Sequence, residues 1–190
     1  MLKISTVPNP ILRQVSQPVK AVNKKLNSFI KDLEKTLINS ADPPGVGLSA
    51  IQVGKPIRIF STYLVKSKKI REIKTYINPK IVKTSKKLTL GPDEKSRSAS
   101  GGKPILEGCL SVPRIWGSVL RHQWIKFEFE TFDPKTNQLV KQTKKYSSFP
   151  ARAIQHELDH LDGILFTDHS MKQNQPLYEE KNGELTQIKL

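Results

Sequence analysis

The sequence predicts an α+β fold in which antiparallel β-sheets surround a central helix carrying a His-Glu-x-x-His motif. Three observations predict it. Segment 23–39 carries apolar residues at helical spacing, segment 150–161 is bounded by helix start and stop residues, and a strand-rich stretch lies between them. Strand-like runs at 119–133 and 138–143 are joined by a short turn, which makes them antiparallel neighbours. The second helical segment contains His156-Glu157-Leu158-Asp159-His160, and residues four apart share one side of a helix.

The opening Pro8-Asn9-Pro10-Ile11-Leu12-Arg13 is extended or turning, because residues before proline avoid the helical region. From Asn23 to Asn39, Leu26, Phe29, Ile30, Leu33 and Leu37 recur at helical spacing, with Asn23 as N-cap. Asp42-Pro43-Pro44-Gly45 is read as the end of this helix, which covers one side of a sheet. Strands are expected at 57–65, at 73–77 and, separately, at 79–84. Residues 85–103 are rich in Lys, Ser and Gly and read as a flexible surface loop. Strand 119–133 leads through Asp133-Pro134-Lys135-Thr136-Asn137 into strand 138–143. The second helix runs from about Pro150 to Leu161, with Ser147 or Ser148 as cap and Gly163 closing it. In the tail, Lys181-Asn182-Gly183 is a hairpin-type turn.

Composition narrows the function classes. The 190 residues suit a single catalytic domain spanning 1–190, with the loop at about 85–103 and a C-terminal tail at about 169–190. No apolar run reaches the roughly 18 residues needed to cross a bilayer, and the start lacks the basic and apolar pattern of a secretory signal. A cytoplasmic protein without membrane contact is expected. The single cysteine, Cys109, excludes an internal disulfide. The net charge of +15, from 32 basic and 17 acidic side chains, favours polyanionic surroundings but is dispersed as lysine pairs. It holds no compact basic helix of the kind that reads nucleic-acid sequence.

The His156-Glu157-x-x-His160 pattern carries the chemistry. Two imidazoles on one helix side can share a metal ion, and the adjacent carboxylate can reach a metal-activated water. A hydrolytic metal takes a third protein ligand. Six residues beyond His160, where some proteases place another histidine, the residue is Phe166. Glu179 and Glu180 remain open as carboxylate ligands, which would make the chain a thermolysin-like endopeptidase. Cys109 in Glu107-Gly108-Cys109-Leu110-Ser111 remains open as a thiolate ligand. Spacing alone does not choose between them. A third reading, a ribosome- or RNA-binding protein without catalysis, rests on the charge.

These residues resemble peptide deformylases, which carry a glycine-rich motif ending in glutamine, a Glu-Gly-Cys-Leu-Ser motif and a His-Glu-x-x-His helix. All three occur in that order, the first as Gly45-Val46-Gly47-Leu48-Ser49-Ala50-Ile51-Gln52, and the similarity covers about Leu2 to Asp168. The resemblance implies removal of the formyl group from the formyl-methionine of nascent polypeptides. It implies one divalent metal ion held by Cys109, His156 and His160, with Fe²⁺ the first expectation and Zn²⁺, Ni²⁺ or Co²⁺ as substitutes. Glu157 would serve as proton acceptor and donor, and the Gln52 amide with the Leu110 backbone N–H would stabilise the oxyanion. Gly45, Val46, Gly47, Ile105, Phe149 and Ala153 would contact substrate around a methionine-sized pocket. Glu107 is expected to be structural, neutralised by Arg152 or Arg121, and Trp116 and Trp124 to be packing residues. A monomer with transient ribosome contact is expected. Arg114 and Trp116-Gly117 depart from the family pattern, the 85–103 loop is longer than in compact members, and the tail has no long basic helix.

Overall fold

A computed structural model describes residues 1–40, 44–67, 70–91, 104–133, 136 and 138–188. In chain order the helices are α1 (Lys24–Ile38), α2 (Ser148–Leu161) and α3 (Phe166–Lys172). The strands are β1 (Gly47–Ser49), β2 (Ile59–Ser67), β3 (Ile70–Thr84), β4 (Leu88–Thr89), β5 (Leu106–Cys109), β6 (Val112–Ser118), β7 (Arg121–His122), β8 (Trp124–Asp133), β9 (Gln138–Ser147), β10 (Leu177–Lys181) and β11 (Glu184–Gln187). They form antiparallel sheets in the orders β1-β2-β3-β8-β9, β11-β10-β6-β5 and β4-β7.

The α+β expectation holds, and α2 is the central helix. Its Ala151, Ile154, Leu158 and Leu161 pack into Phe60, Tyr76, Ile125, Phe127 and Phe129 of the larger sheet. Alternation along β8 turns Ile125, Phe127 and Phe129 inward and leaves Lys126 outward. A fully buried Leu or Phe side chain contributes about 1.5–3 kcal/mol relative to an exposed one. The other side of that sheet end is covered by α1, whose Phe29, Leu33 and Leu37 meet Leu48, Ile59 and Ile77. The Asn23 side chain accepts the Leu26 N–H at 2.9 Å, as its cap role requires. A third cluster joins Val112, Val119, Leu165, Phe166 and Leu177 around Cys109 and seats α3 on the smaller sheet.

Several boundaries differ from the sequence reading. The strands expected at 73–77 and 79–84 are one strand, β3, with an irregularity between Ile77 and Lys80. Asn78 sits there at φ 48, and its side chain exchanges two 2.8 Å hydrogen bonds with the Val19 backbone. An asparagine tolerates that conformation, so the chain kinks without leaving the sheet. α1 ends at Ile38, and the expected terminator residues Asp42 and Pro43 lie outside the described residues. The 119–133 run is divided into β7 and β8, and β9 continues to Ser147 because it pairs with β8 along its whole length. α2 starts at Ser148, and its N-cap Ser147 makes no side-chain capping bond. Gly163, at φ 73, ends the helix with its N–H on the His160 carbonyl. The loop expected at 85–103 begins as structure: β4 pairs with β7, and Arg152 Nη2 donates to the Thr89 carbonyl at 2.7 Å. Residues 92–103 lie outside the described residues. The tail hairpin turns at Asn182 (φ 53) and Gly183 (φ 81), as expected.

Candidate metal centre and active site

α2 lies between the sheets and is buried on nearly every side. One side therefore meets the large-sheet core, while His156 and His160 meet Glu107 and Cys109 of the β5–β6 hairpin and Glu157 meets Gly47 and Ser49 of β1. That hairpin shifts register between Gly108 and Cys109, and the bend at Leu110–Ser111 turns the Cys109 sulfur toward the helix. Cys109 Sγ lies 3.1 Å from His160 Nε2. The ligand atoms of Cys109, His156 and His160 all fall within 4.8 Å of one another, and no other group of three or more His, Cys, Asp or Glu side chains does so among the described residues.

The surroundings fix these side chains. Glu107 Oε2 lies 2.9 Å from His156 Nδ1, so that nitrogen donates to the carboxylate and Nε2 is left for a metal. Glu107 also takes Arg121 at 2.8 and 3.0 Å and Arg152 at 2.8 Å, so both expected cations are used. Burial works to raise the Glu107 pKa, but Arg121 and His156 outweigh it and hold the carboxyl well below its ordinary range. Burial also opposes ionisation of Cys109, and the two imidazoles overcome it, so the thiol is held well below its ordinary value. A thiolate with two imidazoles is a donor set for zinc or ferrous iron. His160 Nδ1 is buried without a hydrogen-bond partner among the described residues. The residues therefore fit a bound divalent ion.

Glu157 is buried beside this cluster. Burial raises its pKa, only partly offset by the two histidines. A Cβ added at Gly47 would lie 2.3 Å from Glu157 Oε1, so only glycine lets β1 approach the carboxylate this closely. Ser49 and Gln52 complete the arrangement. The Ser49 N–H donates to Gln52 Oε1 at 2.8 Å, and the Ser49 hydroxyl lies 2.9 Å from Glu157 Oε2. With its oxygen held there, the Gln52 amide directs Nε2 toward Ser111 Oγ (3.1 Å) and Cys109 Sγ (3.5 Å). The amide thus presents its donor side to the ligand cluster.

A cavity of about 310 Å³ opens on these groups. Gly45, Val46, Gly47, Gln52, Ile105, Leu110, Phe149, Ala153, His156 and Glu157, all singled out in the sequence, line it together with Cys109. Phe149 is 43% exposed and forms part of its open side. Trp116 packs its ring against Gly108 and lines the cavity as well. Trp124 instead lies beneath Lys145, whose Nζ is 4.5 Å from its ring centre. Glu180 accepts the Trp116 indole N–H at 2.6 Å, and Glu179 pairs with Lys181 at 2.9 Å, so neither joins the ligand cluster. Ser49, Ser111 and Arg71 are site-lining or site-supporting residues that the sequence reading did not pick out; Ser49 and Ser111 lie inside the two motifs, whereas Arg71 has no local signal.

The model of the polypeptide deformylase family matches residues 1–176. The chain belongs to the polypeptide deformylase family. A peptide deformylase of Brucella suis is 36% identical over 166 residues, covering 87% of this chain and 82% of the relative. One from Mesorhizobium japonicum is 32% identical over 183 residues, covering 96% and 92%. Among solved structures, a plant peptide deformylase matches with a TM-score of 0.72 at 31% identity, covering 90% of this chain and 82% of that one. A Plasmodium falciparum peptide deformylase matches with a TM-score of 0.71 at 31% identity, covering 88% and 85%. The family's activity is metal-dependent removal of the N-formyl group from nascent polypeptides, and it is the activity of this member.

Proposed function

We propose that Cys109, His156 and His160 hold one divalent ion, Fe²⁺ in the native enzyme, and that Glu157, Gln52 and Leu110 carry out formamide hydrolysis around it. The observation that carries this reading is the convergence of three ligand atoms within 4.8 Å of one another beside the Glu157 carboxylate. When bound, such an ion acts as a Lewis acid that lowers the pKa of water toward ~7. Glu157 accepts a proton from the attacking water and returns it to the departing amine nitrogen. Its raised pKa suits both tasks, and the Ser49 hydroxyl keeps it in place. The attacked carbonyl oxygen becomes an oxyanion, and the Gln52 amide and Leu110 backbone N–H donate to it. A donor of this kind contributes about 3 kcal/mol to the barrier. Formate and the free α-amine are the products.

The peptide lies along Gly45, Val46 and Gly47, and the methionine side chain enters the space between Val46, Ile105, Phe149 and Ala153. Zn²⁺, Ni²⁺ or Co²⁺ can replace Fe²⁺ in this donor set, and Fe²⁺ beside a thiolate makes the activity oxygen-sensitive. The enzyme works as a single catalytic domain and a monomer in the cytoplasm, with transient ribosome contact favoured by its +15 charge. Salt-sensitive co-sedimentation with ribosomes tests the last point. The chemistry is tested by formate release from formyl-Met-Ala-Ser with anaerobically purified protein and metal analysis. One equivalent of metal and rapid release are expected, and metal-loaded protein that releases no formate refutes the proposal.

A further inference from the structure

The charges around the site can be accounted for one by one. The 310 Å³ cavity shares Gly108, Cys109, Leu110 and Trp116 with a second cavity of about 560 Å³, which Arg114, Glu180 and Lys181 also line. Every acidic group on the two is already committed. Glu107 takes Arg121, Arg152 and His156; Glu157 is buried against Ser49; Glu180 accepts from Trp116. Lys181 is paired with Glu179. Two arginines remain without an acidic partner among the described residues, Arg71 on the first cavity and Arg114 on the second, and both are exposed.

Their placement is specific. The Arg71 guanidinium lies over the Tyr63 ring, 5.4 Å from its centre. The Tyr63 N–H donates to the Val46 carbonyl at 2.8 Å, so Arg71 is tethered beside the Gly45–Gly47 edge. Arg114 holds φ 63, a conformation costly to a side-chain-bearing residue, on the β6 side of the shared wall. Gly47 abuts Glu157, and Val46 and Gly45 continue the edge away from that carboxylate. A peptide with its formyl group at Glu157 and its chain along this edge passes Arg71 in the first cavity, and Arg114 lines the adjoining one.

We infer that Arg71 and Arg114 are specificity-determining residues that favour nascent chains with an aspartate or glutamate in the few positions after formyl-methionine. This rests on the deformylase reading of the site. The overall +15 charge attracts any anion over long range, whereas a guanidinium discriminates only by local contact. The two effects are separable by substitution.

The test compares kcat/KM for the C-terminal amides formyl-Met-Ala-Asp-Ala and formyl-Met-Ala-Asn-Ala, and for formyl-Met-Asp-Ala-Ala and formyl-Met-Asn-Ala-Ala. The enzymes are the metal-loaded wild type, Arg71→Gln, Arg114→Gln, the double variant and Arg71→Lys. For at least one position the Asp/Asn ratio should exceed one by about two- to fivefold at low salt, as for an exposed ion pair. The preference should lie mainly in KM, fall toward one near 1 M salt, fall in the Gln variants and be retained in Arg71→Lys. A wild-type ratio at or below one overturns the inference, and so does a ratio that the double variant leaves unchanged. Absence of formate from every peptide removes the deformylase reading itself, and this inference with it.

Discussion

Glu157 and Glu107 are both buried carboxylates beside the histidines of α2, yet their surroundings are opposite. Glu107 faces two arginines and His156 and stays ionised. Glu157 faces a serine hydroxyl and the ligand cluster, and burial raises its pKa. Glu157→Gln keeps the shape but cannot take a proton. Formate release should fall by about 10²–10⁴-fold, while bound metal, measured by elemental analysis, stays at wild-type stoichiometry. Unchanged turnover would remove Glu157 from the mechanism. Glu107→Gln should act differently, because it leaves Arg152 without its carboxylate and Arg121 with Asp159 alone. Breaking a buried ion network costs about 3–5 kcal/mol, and the loosened His156 should weaken metal binding about 10–100-fold. Thermal unfolding and metal titration of this variant should both shift; a stable variant with native metal affinity would show that Glu107 does not orient the ligand.

Both long helices were legible in the sequence, α1 from apolar spacing dictated by burial on one side together with its Asn23 cap, α2 from its start and stop residues up to Gly163. The tail hairpin was legible because Asn182-Gly183 suits positive φ at both turn positions. What was not legible depends on distant partners. β4 and β7 are two residues each and exist only because they pair with one another. The joined β3 relies on Asn78 reaching Val19, 59 residues away. α3 is a seven-residue helix, too short for periodicity to reveal. Its own Asp168 anchors it: the carboxylate accepts the Leu165 N–H at 2.9 Å and pairs with Arg13 of the N-terminal arm. Partial burial works to raise the Asp168 pKa, but the Arg13 and Leu165 hydrogen bonds outweigh it and the net shift is downward. A carboxylate depressed in the folded state stabilises above its ordinary value of about 4, and the contribution is lost as pH falls below that. An exposed pair contributes about 0.2–1 kcal/mol, so Asp168→Asn should lower Tm by about 1–3 °C at neutral pH. The gap between wild type and variant should be constant down to about pH 5 and close below about pH 4. A gap that widens in acid would assign the stabilisation to another group.

The three motifs lie far apart in the sequence, and the fold makes them one site by placing α2 between the two larger sheets. Their order along the chain made the ligand set readable through the family resemblance; the choice of Cys109 over Glu180 was not readable from spacing, because it depends on how the β5–β6 hairpin bends and on the tail engaging Trp116. The result is a group that could hold a metal, drawn from different layers: Cys109 from the smaller sheet, His156 and His160 from the helix that packs into the larger one. A metal bound by both layers ties them together, and because the unfolded chain has no such cluster, binding adds directly to stability. At a metal concentration 100 times its Kd the gain is about 2.7 kcal/mol, or about 5–10 °C in Tm for a chain of this length. Chelation should therefore lower Tm by that amount and readdition of Fe²⁺ or Ni²⁺ restore it. Cys109→Ala should lose the metal-dependent increment, whereas Glu180→Ala should retain it, since Glu180 accepts from Trp116 and lies outside the Cys109, His156 and His160 group. An increment that survives Cys109→Ala and vanishes in Glu180→Ala would reverse the ligand assignment and return the chain to the carboxylate-ligand, endopeptidase class.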